Sequence, residues 1–186
     1  MRERDNTGLA RRVAEFDAAG DRAADYVRQR FPKADRLFYG ASALAEHGMI
    51  WAMLGALRGL RGQDHSRAAA RLLVGIPAES LVVNGGLKSM FRRARPVHDG
   101  PRPLPLRIPL TSSFPSGHAS SAFFAATLLS DGDTSLAPLY YVAALVVASS
   151  RVYVKIHHAS DVIGGAVVGT MLGRLAKRLV PLDSNR

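Results

Sequence analysis

Three short clusters of polar residues stand where apolar runs begin or end, and their types suit the binding of a tetrahedral anion. Lys88 with Arg95 and Pro96 closes one run, Pro115-Ser116-Gly117-His118 opens the next, and Ser150-Arg151, followed by His157 and Asp161, bridges the last two. Lys88, Arg95 and Arg151 bring three positive charges, and two guanidinium forks match the oxygens of a phosphoryl group. Ser116 ahead of a helix predicts an N-cap, with the first backbone N–H groups, beginning at Gly117, aimed at the same anion. His118 and His157 offer a nucleophile and a proton donor. Asp161, four residues after His157, is one helical turn away, where it can hold one ring nitrogen and leave the other to attack. These residues make a nucleophile, base-orienter and anion-hole arrangement without a metal, and Asp64, Asp131 and Asp133 fall in turns and make no ligand set.

Positioning these groups requires helices. Charge-poor apolar runs cover Leu37 to Leu57 (broken by Glu46 and His47), Leu72 to Leu87 (broken by Glu79), Ala119 to Ser130, Thr134 to Ser150 and Val162 to Gly173. The fourth has 17 uncharged residues, just short of the roughly 18 to 20 of an unambiguous spanning helix. Gly164, Gly165, Gly169 and Gly173 suit close helix packing of the kind found between membrane helices. Ahead of these runs, Leu9, Val13, Phe16, Ala23, Val27 and Phe31 recur at helical spacing, predicting an amphipathic helix docked on the same domain, with the lipid interface as the alternative. Arg58 to Arg71 reads as a polar connection, Val97 to Thr111 as a Pro-rich loop, and Asp131-Gly132-Asp133 as a tight turn. The expected organisation is an all-α, membrane-embedded bundle: an N-terminal amphipathic helix (1–35) of the same domain, a bundle of about five apolar helices (36–180) and a tail (181–186). Up-and-down connection brings the three clusters to one end of the bundle.

Composition narrows the partners. The chain has 186 residues, 25 Lys and Arg against 15 Asp and Glu, a net charge of +10, 47% hydrophobic residues and no cysteine. That excludes a disordered basic tail, a disulfide framework, a thiolate zinc site and a cysteine nucleophile. The basic excess calls for an anionic partner: nucleic acid, an anionic leaflet or a phosphorylated substrate. A nucleic-acid module would need aromatics interleaved with basic residues on a solvent face, and the aromatics here, 7% of the chain, lie mostly inside apolar runs. Met1 to Asp21 has no apolar core, so no secretory signal peptide is expected there.

The three clusters, in order and with their internal spacing, resemble the signature of the type 2 phosphatidic acid phosphatase superfamily, which includes lipid phosphate phosphatases, bacterial acid phosphatases and vanadium haloperoxidases. The resemblance implies an acid phosphatase/haloperoxidase-like helical core. It implies that His157 attacks phosphorus and carries a phosphohistidine, Asp161 orients it, and His118 protonates the leaving oxygen and later activates water. Lys88, Arg95, Arg151, Ser116 and the Gly117 amide would bind the phosphoryl oxygens. No metal or other cofactor is implied. The expected partners are a phosphorylated lipid and the bilayer, not nucleic acid, and a homo-oligomer is compatible with the chain.

Within that family the short Arg/Ala-rich chain looks similar to small bacterial enzymes that dephosphorylate a decaprenyl-phosphoryl 5-phosphoribose. Polyprenyl diphosphate, phosphatidylglycerol phosphate and phosphatidate are the other candidate substrates. A vanadate-dependent haloperoxidase and a non-enzymatic lipid binder are the competing readings; the first is usually much longer, the second usually lacks catalytic positions that are all filled here. If the five runs span, 17 Lys and Arg fall on the face of the clusters and 8 on the other, which predicts a cytoplasmic site. Of the remaining polar residues, His158 is expected beside the site rather than in it, His98 and Asp99 in a solvated loop, and Glu46 and His47 in structural roles, paired with one another or with a neighbouring helix. Arg92 and Arg93 are expected against a headgroup or solvent, and Tyr140 and Tyr141 in packing or interfacial positions.

Overall fold

The computed structural model describes residues 2–98, 102–131 and 133–182, apart from the side chains of residues 2–7, 47, 63 and 64. Asp99, Gly132, the side chains of His47 and Asp64, and most of the 181–186 tail thus lie outside the described residues. Seven α-helices are described: α1 Arg2–Arg30, α2 Ala34–Leu44, α3 Met49–Gly59, α4 Gln63–Ser80, α5 Gly117–Asp131, α6 Ala137–Tyr153 and α7 Ala159–Leu179. The all-α architecture is as the apolar runs suggest.

Helices α3 to α7 run up and down, with α5 at the centre. Residues 119 to 122 and 124 to 129 of α5 are all buried. A helix buried on every side needs no polar stripe, which is why this segment reads as a uniform apolar run. Its tightest neighbour is α7. A Cβ on Gly165 or Gly169 would collide with the carbonyl oxygens of Ser116 or Ser120, and one on Gly173 would meet Thr127 Cβ at 2.8 Å. Glycine at four-residue spacing therefore lets the α7 backbone lie against α5.

Two sequence expectations are corrected. The run Leu37 to Leu57 is two helices, because Gly48 adopts a left-handed φ of 71° after a short 3-10 turn at Glu46–Gly48. The stretch Arg58 to Arg71 is mostly helix, since α4 begins at Gln63. Two of its arginines are spent inside the protein. Arg58 donates to the Leu129 carbonyl, and Arg71 donates to Asp131 Oδ2 at 2.7 Å and the Leu128 carbonyl at 3.4 Å. Both arginines thus serve the C-terminal carbonyls of α5, at the end far from its Ser116 cap.

Helix α1 does dock on the rest of the chain, but through a different face from the one expected. Asp17 and Ala24 are buried and Gly20 meets Ala159, while Leu9, Phe16 and Phe31 stay exposed. Lys155 binds Asp25 at 2.8 Å, and Arg28 donates to the Tyr153 carbonyl and lies over its ring. A small and charged stripe, joined by Val27 against the Ala24–Tyr39–Tyr153 cluster, thus seats α1 on the α6–α7 corner. Among the described residues no helix is long and apolar enough to cross a membrane. Helix α6 has 17 residues, and the 21 residues of α7 include Arg174, Lys177 and Arg178.

Candidate active site

Lys88 reaches the site because α4 ends in a wide π turn, Leu81–Gly86, followed by a 3-10 turn, Leu87–Met90. The Lys88 side chain is 6% exposed. Its charged neighbours are Arg95, Arg151, Asp161 and Glu79, and burial, aided by the two arginines, lowers its ammonium to about 8. Arg95 follows in extended backbone. Its guanidinium donates to the carbonyls of Pro109 (3.0 Å), Ile156 (3.0 Å), Thr111 (3.0 Å) and Ser112 (3.3 Å). Loop 109–112 and the turn before His157 are thereby pinned to one planar fork.

The corner between α6 and α7 carries His157. The N–H groups of Ile156 and His157 both donate to the Arg151 carbonyl at 3.1 Å. This turn ties the arginine and histidine of the third motif together. Nη1 of Arg95 lies 3.2 Å from His157 Nε2. A guanidinium can only donate, so Nε2 holds a lone pair and Nδ1 carries the hydrogen of the neutral ring. Burial pushes the imidazole down to about 4 despite the opposing Asp161, with Arg151, Arg95 and Lys88 adding to the depression. At neutral pH the ring is an uncharged base surrounded by cations.

Asp161 is close to His157 but does not bond it directly. Its Oδ2 is 3.7 Å from Nδ1. Ser113 fills the gap: its Oγ lies 3.4 Å from His157 Nδ1 and donates to Asp161 Oδ2 at 2.5 Å. The ring N–H can therefore donate to a hydroxyl that donates to the carboxylate. The same Oδ2 accepts the His158 N–H at 2.9 Å, and Oδ1 accepts from Arg93 at 2.6 Å.

Ser116 caps α5, its Oγ accepting the Ala119 N–H at 3.4 Å, while its own N–H donates to the Asp161 carbonyl oxygen at 3.0 Å. The second motif is thus fastened to the third. Gly117 leaves space for Asn84, whose Oδ1 a Cβ would meet at 2.8 Å. His118, in the first turn of α5, has Nε2 3.9 Å from Glu46 Oε2, and Glu46 Oε1 is 4.0 Å from Arg107. Arg151 is fully buried, donates to Ser42 of α2, and has Glu46 among its charged neighbours.

The three motif clusters therefore meet at one end of the bundle, with Lys88, Arg95 and Arg151 around His157. Several polar partners were not foreseen. Ser113 lies just ahead of Pro115-Ser116-Gly117-His118, where a serine is unremarkable without knowing that its loop folds onto His157. Glu46 faces His118 of α5, a partner on a neighbouring helix. The pair Arg92 and Arg93 divides: Arg93 turns inward to Asp161 and Asp17, while Arg92 is exposed and lines a groove with Arg95, Leu110 and Thr111.

A buried neutral imidazole ringed by three cations, at the end of a helical bundle, is an arrangement that can hold a tetrahedral anion. Comparison with known proteins gives the class a family. Residues 68–184 match the model of the PAP2 superfamily, and the chain belongs to it. It is 37% identical over 128 residues to the lipid A 1-phosphatase of Porphyromonas gingivalis, covering 64% of this chain but only 26% of that protein. It is 31% identical over 140 residues to the decaprenylphosphoryl-5-phosphoribose phosphatase of Mycobacterium tuberculosis, covering 73% of this chain and 75% of that one. Two crystal structures share the fold. One is a transmembrane PAP2 type phosphatidylglycerolphosphate phosphatase from Bacillus subtilis, with TM-score 0.67 and 27% identity over 90% of this chain and 85% of that one. The other is Aquifex aeolicus LpxE, with TM-score 0.65 and 26% identity over 83% and 93%.

Proposed function

We propose that the protein is a membrane phosphatase that removes a phosphoryl group from an amphiphilic lipid phosphate through a phosphohistidine intermediate. The observation that carries this reading is the direction of the Arg95–His157 hydrogen bond, which leaves Nε2 unprotonated among three cations. Lys88, Arg95 and Arg151, with Ser116 and the Gly117 amide, bind the phosphoryl oxygens and stabilise the charge that grows in the transition state. Arg95 gives up Nε2 to the entering phosphorus. The Nε2 lone pair forms the N–P bond as the P–O bond to the lipid breaks, and the leaving oxygen takes a proton from His118. Water then attacks phosphorus, its proton passes to His118, the N–P bond breaks, and phosphate departs. Ser113 and Asp161 hold the other side of the ring throughout.

The exposed apolar stripes support embedding in the bilayer. Met49, Met53 and Leu57 on α3, and Ile163, Val167 and Met171 on α7, recur every four residues and face outward. We read the α3–α7 bundle as embedded in the bilayer through these faces, with α1 at the interface on its exposed Leu9 and Phe16. The charge asymmetry supports a cytoplasmic site. Arg92, exposed in the groove next to Arg95, favours a headgroup that extends beyond the scissile phosphate and carries a second negative group, as in a decaprenyl-phosphoryl 5-phosphoribose used in cell envelope synthesis.

Phosphate release in detergent from a phosphorylated sugar lipid, a polyprenyl diphosphate and a phosphatidate tests the reading. The sugar lipid should be turned over fastest, and His157→Ala should abolish release from all three. Full activity of that variant would overturn the mechanism, and equal turnover of all three would overturn the substrate preference.

A further inference from the structure

The N-terminal helix contributes a buried carboxylate to the edge of the site. Asp17 is 5% exposed although it sits in α1, far outside residues 68–184 that match the family model. Its carboxylate is fully engaged. Oδ1 accepts the Ser160 N–H at 2.8 Å, and Oδ2 accepts the Ser160 hydroxyl at 3.0 Å and one arm of the Arg93 guanidinium. The other arm of Arg93 donates to Ser160 Oγ at 2.7 Å and to Asp161 Oδ1 at 2.6 Å. One guanidinium thus bridges two buried carboxylates, Asp161 beside His157 and Asp17 from a remote helix.

The bridge matters through charge. Asp161 is fully buried, and a guanidinium in contact would cancel its charge before catalysis begins. With Asp17 included, the group Asp17–Arg93–Asp161 carries a net charge of −1. Phosphoryl transfer to Nε2 turns the neutral His157 ring into a cation that keeps its Nδ1 hydrogen. The −1 of the triad compensates that cation through Ser113. With Arg93 and Asp161 alone the sum would be zero, and no net negative charge would face the Nδ1 side of the new cation, the phosphoryl oxygens on the Nε2 side being held by Lys88, Arg95 and Arg151.

We propose that Asp17 is a positioning residue for the phosphoryl transfer: it occupies Arg93 so that Asp161 keeps the negative charge the phosphorylated His157 ring needs. The inference rests on the phosphohistidine reading above. It makes α1 part of the catalytic unit rather than an attached helix.

The test is kinetic, on the full chain. Asp17→Asn should lower kcat by roughly 10- to 50-fold, the Coulomb scale of one charge removed at this range under moderate screening, with KM little changed. Adding Arg93→Gln should restore most of the loss, because Asp161 then again carries −1 by itself. A merely structural role for Asp17 makes the opposite demand, since removing a second partner of the network would slow the enzyme further. Asp25→Asn loosens the Lys155 contact of α1 without touching Asp161 and should leave kcat unchanged. If Asp17→Asn does not accumulate, Asp17→Ser carries the same expectations. An unchanged kcat in the Asp17 variant, a double variant no faster than it, or an equal kcat loss in Asp25→Asn would overturn the proposal. Failure of the phosphohistidine reading would appear separately, as full activity of His157→Ala.

Discussion

Nη1 of Arg95 donates to Nε2 of His157 across 3.2 Å, and the direction of that bond sets the chemistry of the ring. Because the guanidinium cannot accept, Nε2 keeps its lone pair, as the proposed attack on phosphorus needs, and the other nitrogen must carry the hydrogen. That hydrogen faces Ser113 first and Asp161 second.

Ser113→Ala should therefore lower kcat by roughly ten- to a hundredfold, the scale of one buried donor left unmade. Substrate binding, which depends on the cations, should change little. Steady-state kinetics on one lipid phosphate would show this as a fall in kcat at nearly constant KM. A variant with unchanged kcat would return the orienting role to Asp161 alone.

Lys88 should set the alkaline limb. Burial lowers its ammonium to about 8, so the protonated form, which the proposed mechanism needs against the phosphoryl oxygens, is lost as pH rises through that value, and kcat/KM should fall with it. Bound substrate opposes the loss, so the limb in kcat should lie higher. Lys88→Arg should remove the limb from the pH 7 to 10 range. The same displacement is a stability cost: the folded state holds this proton less tightly than the unfolded chain, whose lysine keeps the ordinary value of 10.5. Lys88→Met should stabilise the protein by about 2 kcal/mol at pH 7, with the gain fading between pH 8 and 10.5, while abolishing activity. Denaturation at pH 7 and pH 10 would check the sign.

Much of this was legible in the chain, because the three motifs end apolar runs and the runs alternate in direction. What escaped depends on partners distant in sequence. Arg58 and Arg71 look like connector charges until the α5 carbonyls they serve are in view. Asp17 looks like the polar face of an amphipathic helix until Ser160 and Arg93 close on it. The break at Glu46–Gly48 was hidden because one left-handed glycine divides an otherwise continuous apolar run.

Packing between α5 and α7 should be intolerant at one position. Gly169→Ala places a Cβ against the Ser120 carbonyl oxygen, and the backbone cannot yield as a side chain would. A loss of about 3 kcal/mol is expected, together with lost activity, because α5 begins at the phosphate-binding motif. Gly40→Ala, where a Cβ meets nothing within 4 Å, is the tolerated control in a thermal unfolding comparison.

Glu46 should matter to the leaving group. Its carboxylate is 3.9 Å from Nε2 of His118, the ring that the proposed mechanism uses to protonate the leaving oxygen. Glu46→Gln should slow hydrolysis of alkyl phosphates by about tenfold or more, while an aryl phosphate with an acidic leaving phenol should be nearly unaffected. Equal slowing of both would place Glu46 in binding instead.

The covalent intermediate is the centre of the account, and trapping it is the most direct measurement. Rapid quenching of the enzyme with a 32P-labelled lipid phosphate should leave label on His157 that is stable in alkali and lost in acid, and His157→Gln should carry none. Turnover without covalent label, or label retained in that variant, would contradict the mechanism.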